Sequence, residues 1–123
     1  MAIDPTGADL KRFLSEDDGG PVVMLNLLRF AEDGQGSYRE YMRRFAETFM
    51  QPYGVEVIYA GAGSTVLVAD PGQSWDAVLL VRYPSRETFC AMVADPEYRA
   101  IAHFRSDALA EAVLQATAPL TGP

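Results

Sequence analysis

Three features predict an α+β fold for this 123-residue chain. Val22 to Phe30 and Ala77 to Val81 read as strands, because short apolar runs bounded by turn residues suit a sheet covered on both faces. Two helix starts follow the second run in quick succession. At Ser85-Arg86-Glu87 and Asp95-Pro96-Glu97, a serine or aspartate oxygen accepts from a free amide of the first turn. Glutamate favours the positive helix end, and in the second start proline loses nothing at the first helical position.

Taken in order, Thr6-Gly7-Ala8-Asp9 reads as a capping box. It opens a helix of about two turns carrying Leu10, Phe13 and Leu14, and Asp18-Gly19-Gly20-Pro21 stops it. In the first strand, alternation sets Val23, Leu25 and Leu27 on one face and Met24, Asn26 and Leu28 on the other. After a loop at Glu32 to Gly36, Ser37-Tyr38-Arg39-Glu40 reads as a second capping box. Its helix runs to about Gln51 with the stripe Tyr38, Tyr41, Met42, Phe45 and Phe49. Val55 to Gly61 is the second strand, and Thr65 to Ala69 reads as an extra short strand. Trp75 to Tyr83 is the third main strand, and Val113 to Thr117 the fourth. In the helix begun at Asp95, Tyr98, Ile101, Ala102, Ala108 and Leu109 form the apolar stripe, with Arg105 in its middle. A guanidinium there must snorkel out or meet a buried acceptor. His103 falls on the opposite side. Residues 1–21 read as an N-terminal helical extension, 22–118 as one domain and 119–123 as a tail.

Strand-helix-strand-strand-helix-strand is the ferredoxin-like arrangement. Right-handed crossovers put both helices on the same face of the sheet. The bare face is expected to carry Met24, Leu28, Val78 and Leu80. An apolar patch of that kind marks an interface, and the same face of a second copy is the simplest cover. A homodimer packed sheet against sheet is therefore expected.

Met24-Leu25-Asn26-Leu27, the run Val78 to Arg86, and Asp95-Pro96-Glu97-Tyr98 with Arg105 seven positions later resemble the domain of unknown function 1330 family. The resemblance extends from Val22 to about Thr117. It implies a dimeric α/β barrel, in a superfamily whose members include cofactor-free monooxygenases, isomerases, haem enzymes and plain binding proteins. It assigns no reaction by itself.

Composition narrows the classes. A net charge of −7 and a sequence pI near 4.5 disfavour nonspecific nucleic-acid or anionic-membrane binding, which needs a basic footprint. Cys90 is the one cysteine, so neither an intrachain disulfide nor a cysteine zinc site is expected. One histidine makes a haem or transition-metal site unexpected, and no cofactor is implied. Ser37 and Ser85 are explained as caps, which leaves a Ser-His-Asp triad without a nucleophile. Gly61-Ala62-Gly63-Ser64 reads as a turn and lacks the third glycine of a dinucleotide fingerprint. Met1 to Asp18 does not resemble a signal peptide, and no apolar run approaches the roughly 20 residues of a membrane span. The expected location is cytoplasmic.

If Val23, Leu25, Leu27 and Ala77, Leu79, Val81 face the helices, with Val55, Val57 and Tyr59 of the second strand, then Asn26, Asp76 and Arg82 face the opposite side, joined by Glu56 and Gln115. Antiparallel pairing brings Glu56 near Arg82. Convergent polar groups in an apolar frame are the default site. Asn26, Glu56, Arg82, Tyr98 and Arg105 are the ligand-binding candidates. The main reading is a small organic molecule bound between sheet and helices or at the dimer interface. The alternative is a cofactor-free monooxygenase or isomerase, with Asn26 and Arg82 polarising a carbonyl or enolate and Glu56 or Asp76 as base. A structural or regulatory homodimer without a ligand is the third. Structural roles suit the same residues: Glu56 and Arg82 as an ion pair, and Arg105 as a helix-to-sheet anchor.

Overall fold

Local capping chemistry starts three of the helices. In this structure, a computed structural model describing residues 3–120, Thr6 and Asp9 close a reciprocal capping box. The Asp9 amide donates to Thr6 Oγ1 at 3.1 Å, and the Thr6 amide to Asp9 Oδ2 at 2.9 Å. This opens α1 (Gly7–Ser15). Ser85 Oγ accepts from the Thr88 amide at 3.0 Å and opens α4 (Arg86–Ala94). Asp95 accepts from the Glu97 amide at 2.9 Å and opens α5 (Pro96–Ser106), with Pro96 in its first turn.

The helix after the first strand starts differently from the expectation. α2 (Gln35–Thr48) begins at Gly34, and Ser37 lies inside it. A Cβ on residue 34 would sit 2.2 Å from the Ala108 carbonyl oxygen. Only glycine lets this helix end approach the turn beyond α5. Freed from capping, Ser37 Oγ donates to the Phe104 carbonyl at 2.7 Å and ties α2 to α5. A short α3 (Met50–Tyr53) follows and ends at Gly54, whose φ of 66° is the left-handed conformation glycine favours.

The strands are β1 (Val22–Phe30), β2 (Glu56–Ala62), β3 (Ala77–Tyr83) and β4 (Leu109–Thr117). They form one antiparallel sheet in the order β2-β3-β1-β4. This is the ferredoxin-like arrangement, with the helices packed on one face. The barrel implied by the family resemblance does not form. β2 and β4 are the two edges of the sheet and do not pair with each other. A barrel just wide enough to hold its own side chains takes about eight strands, so four remain an open layer.

Register corrects the expected faces of β1. Asn26 pairs with Leu79, and Met24 with Val81. Val22, Met24, Asn26 and Leu28 therefore join Leu79, Val81 and Tyr83 beneath the helices, with Met24 and Leu28 only 4% and 0% exposed. Val23, Leu25 and Leu27 line the open face with Val78 and Leu80, each half-buried. β2 carries a second correction. An irregularity between Val57 and Tyr59 inserts Ile58 and turns Tyr59 to the open face opposite Leu80, where it is 55% exposed.

The extra strand expected at Thr65 to Ala69 is absent. The segment is irregular, with Leu67 and Val68 almost fully exposed. Its ends are held. The Gly63 amide donates to the Asp76 carbonyl at 2.8 Å. Arg29 donates to the carbonyls of Gly72 and Ser74, pairs with Glu111 and lies over the Trp75 ring. No helix among the described residues is long and apolar enough to cross a membrane. Replacing Gly34 with alanine should lower stability by about 1–3 kcal/mol, since the added methyl overlaps a backbone carbonyl. Urea denaturation checks this, and an unchanged midpoint would show that the approach of α2 to Ala108 is not tight.

Candidate functional site

The stripe on α2 repeats at helical spacing, so its aromatic rings all face the sheet. They meet α5 edge to face: Tyr41 and Tyr98 centroids are 6.2 Å apart, and Phe49 and Tyr98 5.6 Å. The Tyr41 and Tyr98 hydroxyls share a 2.8 Å hydrogen bond. Between these rings and the sheet lies a cavity of about 310 Å³. Asn26, Leu79 and Val81 form its floor. Tyr38 and Tyr41 of α2 and Tyr98 and Arg105 of α5 form its walls.

Arg105 occupies the middle of the α5 stripe and is only 6% exposed. A buried guanidinium needs partners, and it finds them at the N-terminal segment. Nη1 donates to the Ile3 carbonyl at 2.7 Å and to Asp4 Oδ1 at 3.0 Å. Asp4 Oδ2 is held in turn by Ser106 Oγ at 2.7 Å. Nη2 is buried and, among the described residues, has no hydrogen-bond partner. Asn26 is 8% exposed, and its Nδ2 reaches the Met24 carbonyl at a long 3.4 Å. Arg105 and Asn26, both of which line the cavity, thus carry underused donors beside an apolar frame.

Burial dominates the tyrosine chemistry. Desolvation pushes Tyr38 up to about 12, although the nearby Arg105 charge opposes the rise. Burial raises Tyr41 and Tyr83 further, and the neighbouring Tyr98 adds to both shifts. Tyr98 is raised by burial, against the opposing pull of its Tyr41 hydrogen bond and of Arg105. These hydroxyls stay protonated donors through neutral pH.

Of the residues singled out from sequence, the fold brings Asn26, Tyr98 and Arg105 to this cavity. Glu56 and Arg82 oppose each other in register on the open sheet face, away from it. Gln115 lies opposite Leu25 on that open face. Asp76 accepts from the Phe30 amide at 2.9 Å and anchors a loop end. His103 is exposed and packs on Phe104. Cys90 is a half-buried thiol that burial pushes up. Among the described residues, no group of three or more His, Cys, Asp or Glu could hold a metal ion. Sequence reasoning missed Tyr38, Tyr41, Tyr83 and Asp4. The stripe spacing marked the α2 tyrosines as core but not as cavity walls. Asp4 left no local signal, since its partner lies 101 positions along the chain.

The buried tyrosines set an alkaline limit on the fold. In the unfolded chain they release protons near pH 10, while native Tyr38 holds its proton to about 12. The native state then binds more protons, so stability falls as pH rises through that window and is intact below it. The urea midpoint near pH 12 should be lower than that below about pH 10. Equal midpoints would contradict this.

The model of the domain of unknown function family 1330 matches residues 29–117. A crystal structure of a protein of unknown function from Rhodopseudomonas palustris is 30% identical, with a TM-score of 0.87 over 98% of each chain. A protein from Bacteroides thetaiotaomicron, provisionally named an antibiotic biosynthesis monooxygenase, is 20% identical. Its TM-score is 0.61 over 83% of this chain and 91% of its own. A dimeric protein of unknown function with a ferredoxin-like fold, from Bacteroides fragilis, is 14% identical. Its TM-score is 0.51 over 80% of this chain and 95% of its own. No curated protein matches the chain. The last two likenesses concern the fold alone. The family model spans most of the chain and the Rhodopseudomonas relative nearly all of it, so this chain belongs to the domain of unknown function 1330 (DUF1330) family.

Proposed function

We propose that the cavity binds a small organic molecule with a carbonyl or enolisable oxygen at Arg105 Nη2, and that the chemistry it supports is cofactor-free monooxygenation. The observation that carries the reading is the buried guanidinium nitrogen that has no partner among the described residues, on an arginine lining a cavity walled by tyrosines. A donor left dry and unfilled is costly, and a ligand oxygen removes that cost. As a ketone enolises, negative charge develops on its oxygen, where a fixed cation in a water-poor site stabilises it most. The enolate then reduces dioxygen, a carbon–oxygen bond forms, and the released proton ends on the peroxide. Loss of water leaves a new carbonyl, so a methylene plus dioxygen becomes a carbonyl plus water. The provisional name of the Bacteroides thetaiotaomicron protein agrees with this chemistry. The base proposed from sequence, Glu56 or Asp76, has no place in it, because neither lines the cavity.

Binding without turnover is the second reading, and one observation favours it. Among the described residues, the single carboxylate lining the cavity is Asp4, and it is engaged by Arg105 and Ser106. Oxygen uptake with an anthrone, an enolisable aromatic ketone, separates the two. Turnover that falls about a hundredfold in Arg105→Leu supports the oxygenase. Calorimetric binding without oxygen uptake leaves the binder, and the absence of both rules out the cavity as the site.

We also propose that a second copy covers the open sheet face. Leu25, Leu27, Val78 and Leu80 give it an apolar centre, flanked by Arg82 and Glu56, and half-buried apolar side chains in a continuous patch favour association. The Bacteroides fragilis protein with the same fold is dimeric. Sedimentation at micromolar concentration should give twice the 13.5 kDa chain mass, and Leu25→Lys should return it to a single chain. A wild-type protein that sediments as one chain would defeat this.

A further inference from the structure

We propose that the tip of the loop between β2 and β3, Val66-Leu67-Val68, packs on a second copy of this chain, so that each copy clasps the other with an apolar arm. The inference rests on the dimer reading above and adds to it a contact outside the sheet face. The run Thr65-Val66-Leu67-Val68 has the composition of a strand but forms none. Leu67 and Val68 are 91% and 95% exposed. Single exposed apolar residues are ordinary, but these are consecutive. Ile58 and Tyr59, on the strand that leads into the loop, are exposed as well.

Both ends of the loop are pinned. The Gly63 amide donates to the Asp76 carbonyl at 2.8 Å. A Cβ on residue 63 would lie 1.8 Å from the Trp75 carbonyl oxygen, so only glycine permits this approach. Asp70 to Gln73 closes a turn. The Gln73 amide donates to the Asp70 carbonyl at 3.1 Å, and Gln73 Oε1 accepts from the Asp70 amide at 2.9 Å. A tip carried on fixed ends loses less freedom on docking than a loose loop would. The clamp also sets where the loop stands. Arg29 continues the phase of Val23, Leu25 and Leu27 on β1, so it emerges on the open face. Its guanidinium donates to the Gly72 and Ser74 carbonyls. The returning end of the loop therefore lies at the rim of the face that a second copy is proposed to cover. Two-fold symmetry makes the contact reciprocal. A lipid surface suits the tip less well. No lysine or arginine occurs from Val57 to Val81, whereas Asp70 and Asp76 do, and interfacial segments draw on cations.

Sedimentation equilibrium of the full chain tests this with the double substitution Leu67→Ser, Val68→Ser. Its dimer dissociation constant should be about a hundredfold higher than that of the wild type, since a leucine and a valine on each arm lose their cover. Thermal melts of the same substitutions in the single-chain Leu25→Lys background should be unchanged, because both side chains are exposed there. Hydrogen exchange gives an independent reading. The amides from Thr65 to Val68 should exchange about tenfold more slowly in the wild-type dimer than in Leu25→Lys. A wild-type protein that sediments as one chain removes the dimer reading and this inference together. A wild-type dimer with an unchanged dissociation constant in the double variant removes the inference alone, as do loop amides that exchange equally fast in both states. Binding of the wild-type protein to phosphatidylcholine vesicles, abolished by the double substitution, would assign the tip to lipid and overturn the inference.

Discussion

The buried guanidinium of Arg105 is the constraint on which the rest depends. A charge that is 6% exposed within an apolar helix stripe is tolerable only when paired, because desolvation would otherwise outweigh any packing gain. The partners come from the N-terminal segment, through the Ile3 carbonyl and the Asp4 carboxylate. One residue therefore both holds that segment against the helix and keeps a buried donor, Nη2, without a partner among the described residues.

The cavity persists because its walls resist collapse. Aromatic rings with two torsions each, meeting edge to face, cannot close over a void as flexible chains would. The Tyr41–Tyr98 hydrogen bond joins α2 to α5 across the layer, and the Ser37 bond to the Phe104 carbonyl repeats the tie nearer the helix start. Gly34 permits the approach that makes these ties possible. Among the described residues, the opposite face of the sheet has no such cover, its side chains being half-buried or exposed, so the two faces of one four-stranded layer meet different environments.

Legibility followed the range of the interaction. The caps at Thr6, Ser85 and Asp95 were readable, since each joins atoms two or three residues apart. Ser37 had the same local pattern and went elsewhere, because the close contact of Gly34 with Ala108 moved the helix start. The facing of β1 could not be read, as apolar residues occupy both of its phases and each is broken once, by Asn26 in one and Arg29 in the other. Placing that amide away from the helices was the natural guess, yet pairing with Leu79 put it beneath them. The irregularity at Ile58 likewise reversed Tyr59 without any turn residue to announce it.

Sequence alone determined the order of the four sheet strands and of the helices α1, α2, α4 and α5, the stripe of aromatic residues on α2, and the presence of a guanidinium where an apolar side chain was due. Tertiary structure alone decided that Asn26, Tyr98 and Arg105 share a cavity, that Glu56 and Arg82 stand apart from it, that the sheet stays open, and that Asp4 answers Arg105. Periodicity and capping depend on neighbours within a turn or two, which the chain carries with it. Strand register and the pairing of charges a hundred residues apart depend on which surfaces pack together, and that choice is made only when the whole layer assembles.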